Sequence, residues 1–149
     1  MNLYFYKNLI GTIRQPEFCL IDLDFLKTLP KGELANGFSE VIKHAAIGNA
    51  SLLSFLGNNR PALLSGDAAA LEKALSDSIA VKIKVVESDE REDGGRMVLN
   101  FGHTLGHAIE KTAKIPHGRA VSIGMGAAIR ISIAKGMLKE SDGNRVISL

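Results

Sequence analysis

Residues 96–113 read RMVLNFGHTLGHAIEKTA, a pattern typical of one amphipathic helix with an unusual polar face. The polar side chains recur at steps of 4, 3, 4 and 3 and belong to Arg96, Asn100, His103, His107 and Glu110. A solvent-facing helix usually mixes lysine with glutamate, whereas this face offers a guanidinium, a carboxamide and two imidazoles. The face therefore predicts a binding site, with a solvated helix face as the alternative.

Further helices are predicted on the N-terminal side of this stretch. Apolar residues at steps of 4, 3 and 4 between Leu34 and Ala45 indicate a first helix. A short helix is expected over residues 50–56, followed by a loop to about Gly66. Asp67 is a suitable N-cap for a long helix that follows this loop.

The two ends of the chain complete the predicted architecture. A last helix follows Pro116 and carries small residues around Gly124, which would let another helix approach closely. Residues 9–26 have the short pattern of a small β-hairpin or an extended lead-in. Four or five helices without strand–helix alternation indicate a mainly α fold, a helical bundle rather than a parallel sheet.

Composition narrows the class of protein. A chain of 149 residues with 46% hydrophobic and 23% charged residues suits one globular domain. A net charge of +2 gives no strong attraction for nucleic acid, and no apolar stretch reaches the length that spans a bilayer. Cys19 is the only cysteine, which excludes an internal disulfide and a zinc site made of thiolates. We expect a cytoplasmic protein that binds neither nucleic acid nor membrane.

The histidines suggest a metal site. His103 and His107, four residues apart on a predicted helix, point the same way and can converge on one cation or substrate group. His117 follows Pro116 at a predicted helix start, where the helix dipole favours a neutral imidazole, although a capping or surface histidine is the alternative. Two histidines and one carboxylate are a common set for catalytic zinc. The spacing leaves that carboxylate open among Glu40, Glu92 and Glu110.

Three cationic side chains have both a functional and an ordinary interpretation. Lys43 lies one turn after Glu40, so the two either face a cleft or form a surface ion pair. Lys82 interrupts an apolar stripe and must either extend to solvent or find a partner. Arg96 follows two glycines at a predicted helix start, a position that suits phosphate or carboxylate binding, unless it is a simple surface arginine.

Four motifs, spread over nearly the whole chain, carry a resemblance to a known family. They are KNLIG at residues 7–11, LKTLPKGELANGFSEVIKH at 26–44, DEREDGGRMVLNFGHTLGHAIE at 89–110 and HGRAVSIGM at 117–125. In these motifs and in their order, the chain resembles the C-terminal part of the 3-dehydroquinate synthases, which are members of the sugar-phosphate cyclase family.

The resemblance implies roles for individual residues. Zinc, or cobalt in its place, would be held by Glu40, His103 and His117. His107 would contact the phosphate of the substrate and assist its elimination. The remaining positions expected in the substrate pocket are Lys43, Lys82, Arg96, Asn100, Lys7, Asn8 and Glu92.

The resemblance also implies a reaction. A seven-carbon keto-sugar-acid phosphate would be converted to 3-dehydroquinate with loss of phosphate, using NAD and zinc, in the shikimate pathway of aromatic amino-acid biosynthesis. Residues 1–28 would be a remnant of the nucleotide-binding domain and a lead-in, and residues 29–149 a helical metal- and substrate-binding domain, incomplete at its C-terminus. The NAD site would lie mostly outside the chain. We therefore expect an inactive isolated chain that forms a homodimer and needs the missing nucleotide-binding domain as a partner.

Two other functions remain open: another sugar-phosphate cyclase that makes a cyclitol or aminocyclitol precursor, and a truncated helical module without catalysis. Two departures from the family pattern concern the metal. Arg119 stands where the pattern has glutamate, which would place a positive charge near the ion. Only nine residues separate His107 from His117, a shorter connection than the pattern leads us to expect.

Overall fold

The computed structural model describes Gly11, Arg14 and residues 16–89 and 94–149, and each regular element in this part is a helix. The α-helices are α1 Lys31–Gly48, α2 Ala50–Asn58, α3 Arg60–Ser65, α4 Ala68–Ser88, α5 His103–Ala113, α6 His117–Ala134 and α7 Glu140–Ile147. Two 3-10 helices accompany them, Leu23–Thr28 before α1 and Gly95–Asn100 before α5. The predicted helical bundle is confirmed.

The hairpin or extended lead-in predicted over residues 9–26 falls partly outside the described part, at residues 9, 10, 12, 13 and 15. Within that part, residues 16–22 have no regular secondary structure, and Leu23–Thr28 form a 3-10 helix. This short helix starts where the side chain of Asp22 accepts a hydrogen bond of 2.9 Å from the backbone N–H of Asp24. The end of the predicted lead-in is therefore helical rather than extended.

The core lies between the first four α-helices. Asp67 caps α4 as predicted, because its side chain accepts a 2.9 Å hydrogen bond from the backbone N–H of Ala70. The expected loop before Asp67 is instead α3, which ends at Gly66 in a left-handed conformation. The buried apolar residues that these helices share are Val41, Ala45, Leu52, Leu53, Leu56, Leu63, Ala70, Leu71 and Ala74.

Helices α5 and α6 pack with their backbones unusually close. A Cβ atom added at Gly124 would meet the backbone of Gly102 and Gly106, and one added at Gly106 would lie 3.1 Å from the Cα of Val121. The small residues predicted to admit another helix therefore do so at Gly124, and the helix they admit is α5 of the same chain. This contact fixes the start of α5 relative to α6.

The prediction of one continuous helix over residues 96–113 is wrong. The 3-10 helix Gly95–Asn100 ends before Phe101, and α5 begins only at His103, after Gly102 with φ +79°. A side chain at Gly102 would also collide with Met125 and with the backbone carbonyl of Val121. Contact with α6 therefore requires glycine at position 102, and the helix is interrupted there. As a result, Arg96 and Asn100 do not share a helix face with the histidines.

The polar C-terminal stretch, for which no helix was predicted, forms α7. Its Gly143 is buried, and an added Cβ there would meet Ile129 and Ile133 of α6. Because glycine lets α7 lie directly on α6, a segment with few apolar residues still packs. Among the described helices, none has the length and apolar character needed to cross a membrane.

Candidate metal centre

Three helices bring a carboxylate and two imidazoles together. Glu40 lies in α1, His103 is the first residue of α5, and His117 is the first residue of α6. One ligand atom from each of these side chains lies within 4.8 Å of the others. The rings of His103 and His117 have their centroids 5.4 Å apart. Gly102 precedes α5 and Pro116 precedes α6, so each ring belongs to the first residue of its helix.

The two oxygens of Glu40 have different surroundings. Oε2 accepts a 2.5 Å hydrogen bond from Nζ of Lys43, whose side chain is only 5% exposed. Oε1 is buried and accepts no hydrogen bond from any described residue, although it lies 3.5 Å from Nε2 of His103. Burial alone would raise the pKa of Glu40, but the hydrogen bond and charge of Lys43 bring the pKa below its usual value. Glu40 is therefore an anion with one unsatisfied oxygen.

The ring of His103 presents a lone pair to that oxygen. Its Nδ1 donates to the carbonyl of Phe101 at 3.2 Å, so the neutral ring leaves Nε2 unprotonated. Burial, and then the charge of Lys43, lowers the pKa of His103 and favours this neutral form. Two electron-pair donors thus face each other at 3.5 Å. Tetrahedral zinc ligands at about 2.0–2.1 Å from the ion lie roughly 3.3–3.4 Å apart, so these two atoms fit such an ion.

A second set of possible ligands shares His117. Nδ1 of His117 and Oε2 of Glu110 lie 2.9 Å apart, and His107 belongs to the same group of mutually close ligand atoms. The centroid of the His107 ring is 5.3 Å from that of His103. The structure therefore places both Glu40 and Glu110 beside His117, whereas Glu92, the third carboxylate left open by the spacing, lies outside the described residues.

The cations predicted for the pocket are in different environments. The ion pair expected between Glu40 and Lys43 forms, but Lys43 is buried rather than on the surface. Lys82 is exposed on α4. Arg96 is half-buried at the start of the 3-10 helix, and Asn100 is exposed at its end. Lys7 and Asn8 lie outside the described residues.

One cavity in the described part is separate from these ligands. It has a volume of about 760 Å³ and lies between α1, α2, α6 and α7. Asn100 is the predicted pocket residue in its wall, which is otherwise mostly apolar. Because Glu40, His103 and His117 do not line it, the cavity is not the space around the candidate metal centre.

Sequence reasoning missed two residues that hold this region in place. The carboxylate of Asp89 accepts hydrogen bonds from the backbone N–H groups of Gly94 at 3.0 Å and Arg96 at 2.8 Å. It thereby ties the end of α4 to the start of the 3-10 helix that carries Arg96. The side-chain oxygen of Asn36 accepts a 3.1 Å hydrogen bond from the backbone N–H of Arg119. Neither residue lies in a periodic pattern, so only the three-dimensional contacts reveal it.

A buried histidine also lies next to Lys43. Nδ1 of His44 and the hydroxyl oxygen of Ser78 are 2.7 Å apart, and both side chains are buried between α1 and α4. Burial lowers the pKa of His44 to about 4, with help from the charges of Lys43 and Lys82. The ring is thus neutral at pH 7. Ser78 is polar but is one of the buried residues of α4.

Comparisons with known proteins agree with this architecture. Residues 37–149 match the family described as 3-dehydroquinate synthase C-terminal. The chain is 46% identical over 146 residues to a 3-dehydroquinate synthase of Pelotomaculum thermopropionicum, covering 96% of this chain and 39% of the relative. It is 47% identical over 146 residues to the enzyme of the same name from a Geobacter species, covering 96% of this chain and 40% of that relative.

A solved structure has a similar fold over nearly the whole chain. It is 2-epi-5-epi-valiolone synthase from Streptomyces hygroscopicus subsp. jinggangensis, with NAD⁺ and Zn²⁺ bound. The TM-score is 0.87 at 28% identity, over 99% of this chain and 42% of that chain. The chain thus spans about two fifths of the length of the relatives it matches. By sequence and by fold, it belongs to the 3-dehydroquinate synthase C-terminal family.

Proposed function

We propose that the chain is the metal- and substrate-binding part of a 3-dehydroquinate synthase. The whole enzyme would convert a seven-carbon keto-sugar-acid phosphate to 3-dehydroquinate, with loss of phosphate and with NAD and zinc as cofactors. The observation that carries the proposal is the buried Oε1 of Glu40, which accepts no hydrogen bond from the described residues and lies 3.5 Å from Nε2 of His103, with His117 beside them. Two curated relatives named 3-dehydroquinate synthase, 46–47% identical to this chain, support the choice of reaction.

Glu40, His103 and His117 are the proposed ligands of Zn²⁺, or of Co²⁺ in its place. Three protein ligands leave a coordination position for a substrate oxygen, and the bound ion would polarise a hydroxyl or ketone there. Lys43 would keep Glu40 ionised through their hydrogen bond, so the carboxylate remains a ligand at neutral pH. Its buried ammonium would also add positive charge on the substrate side of the centre.

The remaining polar residues would hold the anionic groups of the substrate. His107 is exposed beside His103, so its ring would contact the phosphate and carry a proton at one ring nitrogen during elimination. Arg96 and Asn100, on the segment before α5, would bind the phosphate and the sugar oxygens. Lys82 would add a further cation from α4, and the family resemblance adds Lys7, Asn8 and Glu92.

NAD would bind mainly to a nucleotide-binding domain outside these 149 residues. The relatives are longer, since the matched region is only 39–40% of their length. We propose that residues 1–28 connect to that domain and that residues 29–149 form the helical domain. We also propose that the complete enzyme is a homodimer and that the 149-residue chain alone does not turn over substrate.

Zinc content per chain after dialysis is the first test, because it does not require a nucleotide-binding domain. We expect one zinc in the wild type and in His107→Ala, and none in His103→Ala. His107 is a matched control since it lies on the same helix, one turn from His103. A folded wild-type chain without zinc would contradict the metal assignment.

Activity needs a second experiment. The chain would be joined to the nucleotide-binding domain of a relative, and NAD-dependent phosphate release would be measured with the seven-carbon acid phosphate. Recovery of turnover supports the proposed reaction. No turnover in a folded, zinc-loaded fusion would favour a helical module without catalysis.

A second candidate is another sugar-phosphate cyclase that makes a cyclitol or aminocyclitol precursor. The observation that favours it is the structural match to 2-epi-5-epi-valiolone synthase at a TM-score of 0.87. Comparing turnover of acid and neutral sugar phosphates by the same fusion separates the two candidates. Preference for the neutral sugar phosphate would identify the second.

A further inference from the structure

We propose that Glu110 is a positioning residue that fixes the tautomer and orientation of His117 for metal binding. The inference rests on the proposed function, because it assumes that His117 is a ligand together with Glu40 and His103. It concerns a side chain to which the family resemblance gave no role. Glu110 would act through His117 and would not itself contact the ion or the substrate.

The hydrogen bond between Glu110 and His117 decides which ring nitrogen is protonated. Oε2 of Glu110 and Nδ1 of His117 lie 2.9 Å apart. An ionised carboxylate can only accept a hydrogen bond, so Nδ1 must be the donor. A neutral imidazole carries one N–H, which leaves the lone pair on Nε2. The nitrogen that remains for a metal held with Glu40 and His103 is therefore Nε2.

A tight connection between two helices creates this hydrogen bond. α5 ends at Ala113, and only residues 114–116 precede the start of α6 at His117. Lys114 turns the chain in a left-handed conformation, φ 51°, and its N–H bonds to the carbonyl of Glu110 at 3.0 Å. The last turn of α5 and the first residue of α6 are thus adjacent. The short connection after His107, a departure from the family pattern, thus places a carboxylate beside His117.

Glu110 is the more buried member of the pair. The side chain of Glu110 is 24% exposed and that of His117 is 43% exposed. Such a partly buried carboxylate can hold a ring more firmly than a solvated one. Histidine ligands commonly donate their second N–H to a carboxylate, which fixes the ring and raises its basicity toward the metal.

The competing interpretation is that Glu110 is itself a ligand, with His107 and His117. Its oxygen is at hydrogen-bonding distance from Nδ1 of His117, whereas Oε1 of Glu40 is buried and accepts no hydrogen bond from the described residues. A cation at Oε1 of Glu40 would replace no hydrogen bond, but a cation held by Oε2 of Glu110 and Nδ1 of His117 would replace the hydrogen bond between them. The geometry therefore favours Glu40 as the ligand and Glu110 as the residue that positions His117.

Zinc affinity of the full chain tests the inference, measured by competition with a chromophoric chelator. Glu110→Ala should weaken zinc binding roughly 10- to 100-fold, the usual effect of removing such a partner. Glu110→Gln should lose much less zinc affinity, because its amide oxygen can still accept a hydrogen bond from Nδ1 of His117. Glu72→Ala, which removes an exposed glutamate from α4, is the control and should stay within about twofold of the wild type. Circular dichroism of each zinc-free variant verifies that it is folded.

The tautomer itself provides a readout independent of zinc. Nitrogen-15 NMR of the histidine rings should show His117 protonated at Nδ1 in the zinc-free wild type and in Glu110→Gln. In Glu110→Ala it should show a mixture of the two tautomers. Unchanged zinc affinity and an unchanged tautomer in Glu110→Ala would overturn the inference. So would loss of zinc from Glu110→Gln combined with normal binding by Glu40→Gln, which would make Glu110 a ligand. A wild type that binds no zinc would instead overturn the metal assignment, whatever the tautomer of His117.

Discussion

Asn36 in α1 holds the first turn of α6 by accepting a hydrogen bond from the backbone N–H of Arg119, over 3.1 Å. Backbone N–H groups in the first turn of a helix have no partner within that helix, so a side chain from elsewhere can satisfy them. Asn36 lies one helical turn before Glu40. Together with the contact between the hydroxyls of Ser39 and Ser122, this hydrogen bond positions His117, which starts α6, relative to Glu40.

Replacing Asn36 tests this role. Asn36→Ala removes the acceptor and should lower the free energy of unfolding by about 1 kcal/mol, as for other lost helix caps. Asn36→Asp keeps an acceptor oxygen near the positive end of α6 and should cost less. Urea unfolding of both variants gives the comparison. Equal stability of Asn36→Ala and the wild type would show that the contact does not hold α6.

Gly118 is predicted to tolerate no side chain. A Cβ there would run into the backbone carbonyl of Asn36, whereas one at Gly126, in the same helix, would meet nothing within 4 Å. Alanine is the better helix former by about 1 kcal/mol, so Gly126→Ala should stabilise the protein slightly. Gly118→Ala should destabilise it in spite of that gain and should weaken zinc binding as α6 moves from α1. Thermal unfolding of the two variants side by side is the measurement, and similar shifts for both would contradict the close contact.

His44 should make stability depend on pH. Burial lowers its pKa to about 4 in the folded chain, while the unfolded chain has the usual value near 6.5. The unfolded state therefore binds the proton first as the pH falls, and the free energy of unfolding should decrease from about pH 6.5 toward pH 4. Below the folded pKa both states are protonated, and this contribution becomes constant.

The variant His44→Gln isolates this contribution. Its amide can still bond to Ser78 but does not titrate, so the loss of stability between pH 7 and pH 5 should be smaller than in the wild type. Urea unfolding at several pH values measures the difference. Parallel pH profiles for the two proteins would mean that the charge on His44 does not affect folding.

Asp89 is predicted to order the segment that carries Arg96. Asp89→Ala removes the acceptor of the N–H groups of Gly94 and Arg96, so both amides should exchange with deuterium faster. Asp77→Ala is the control, since Asp77 forms an ion pair with Lys73 on the exposed side of α4. If the amides of Gly94 and Arg96 stay protected from exchange in Asp89→Ala, other contacts order this segment.

The sequence was most informative where the cause of structure is local. Asp67 and Pro116 mark helix starts because capping and a fixed φ act on adjacent residues, and α4 and α6 begin there. The break at Gly102 could not be predicted, because the polar steps of 4 and 3 continue through it. Its cause is the contact with Met125 and Val121, more than 18 residues away.

The candidate site was predictable in its residue types but not in its arrangement. Spacing identified the histidines and left the carboxylate open, because whether Glu40 as well as Glu110 lies beside His117 depends on how α1 packs against α6. The ion pair of Glu40 with Lys43 followed from their separation of three residues, whereas the burial of Lys43 did not. Burial comes from neighbouring helices, which no local pattern contains.

The Glu40–Lys43 pair also sets the electrical state of the site. The negative charge of Glu40 is matched by the ammonium 2.5 Å away, and the neutral form of His103 adds no charge. The protein thus contributes almost no net charge to the cluster of Glu40, Lys43 and His103. A divalent ion bound there would keep its double charge largely uncompensated, so the centre would attract a phosphorylated acid strongly when loaded and weakly when empty. Metal and anion would then each increase the affinity for the other by the same factor.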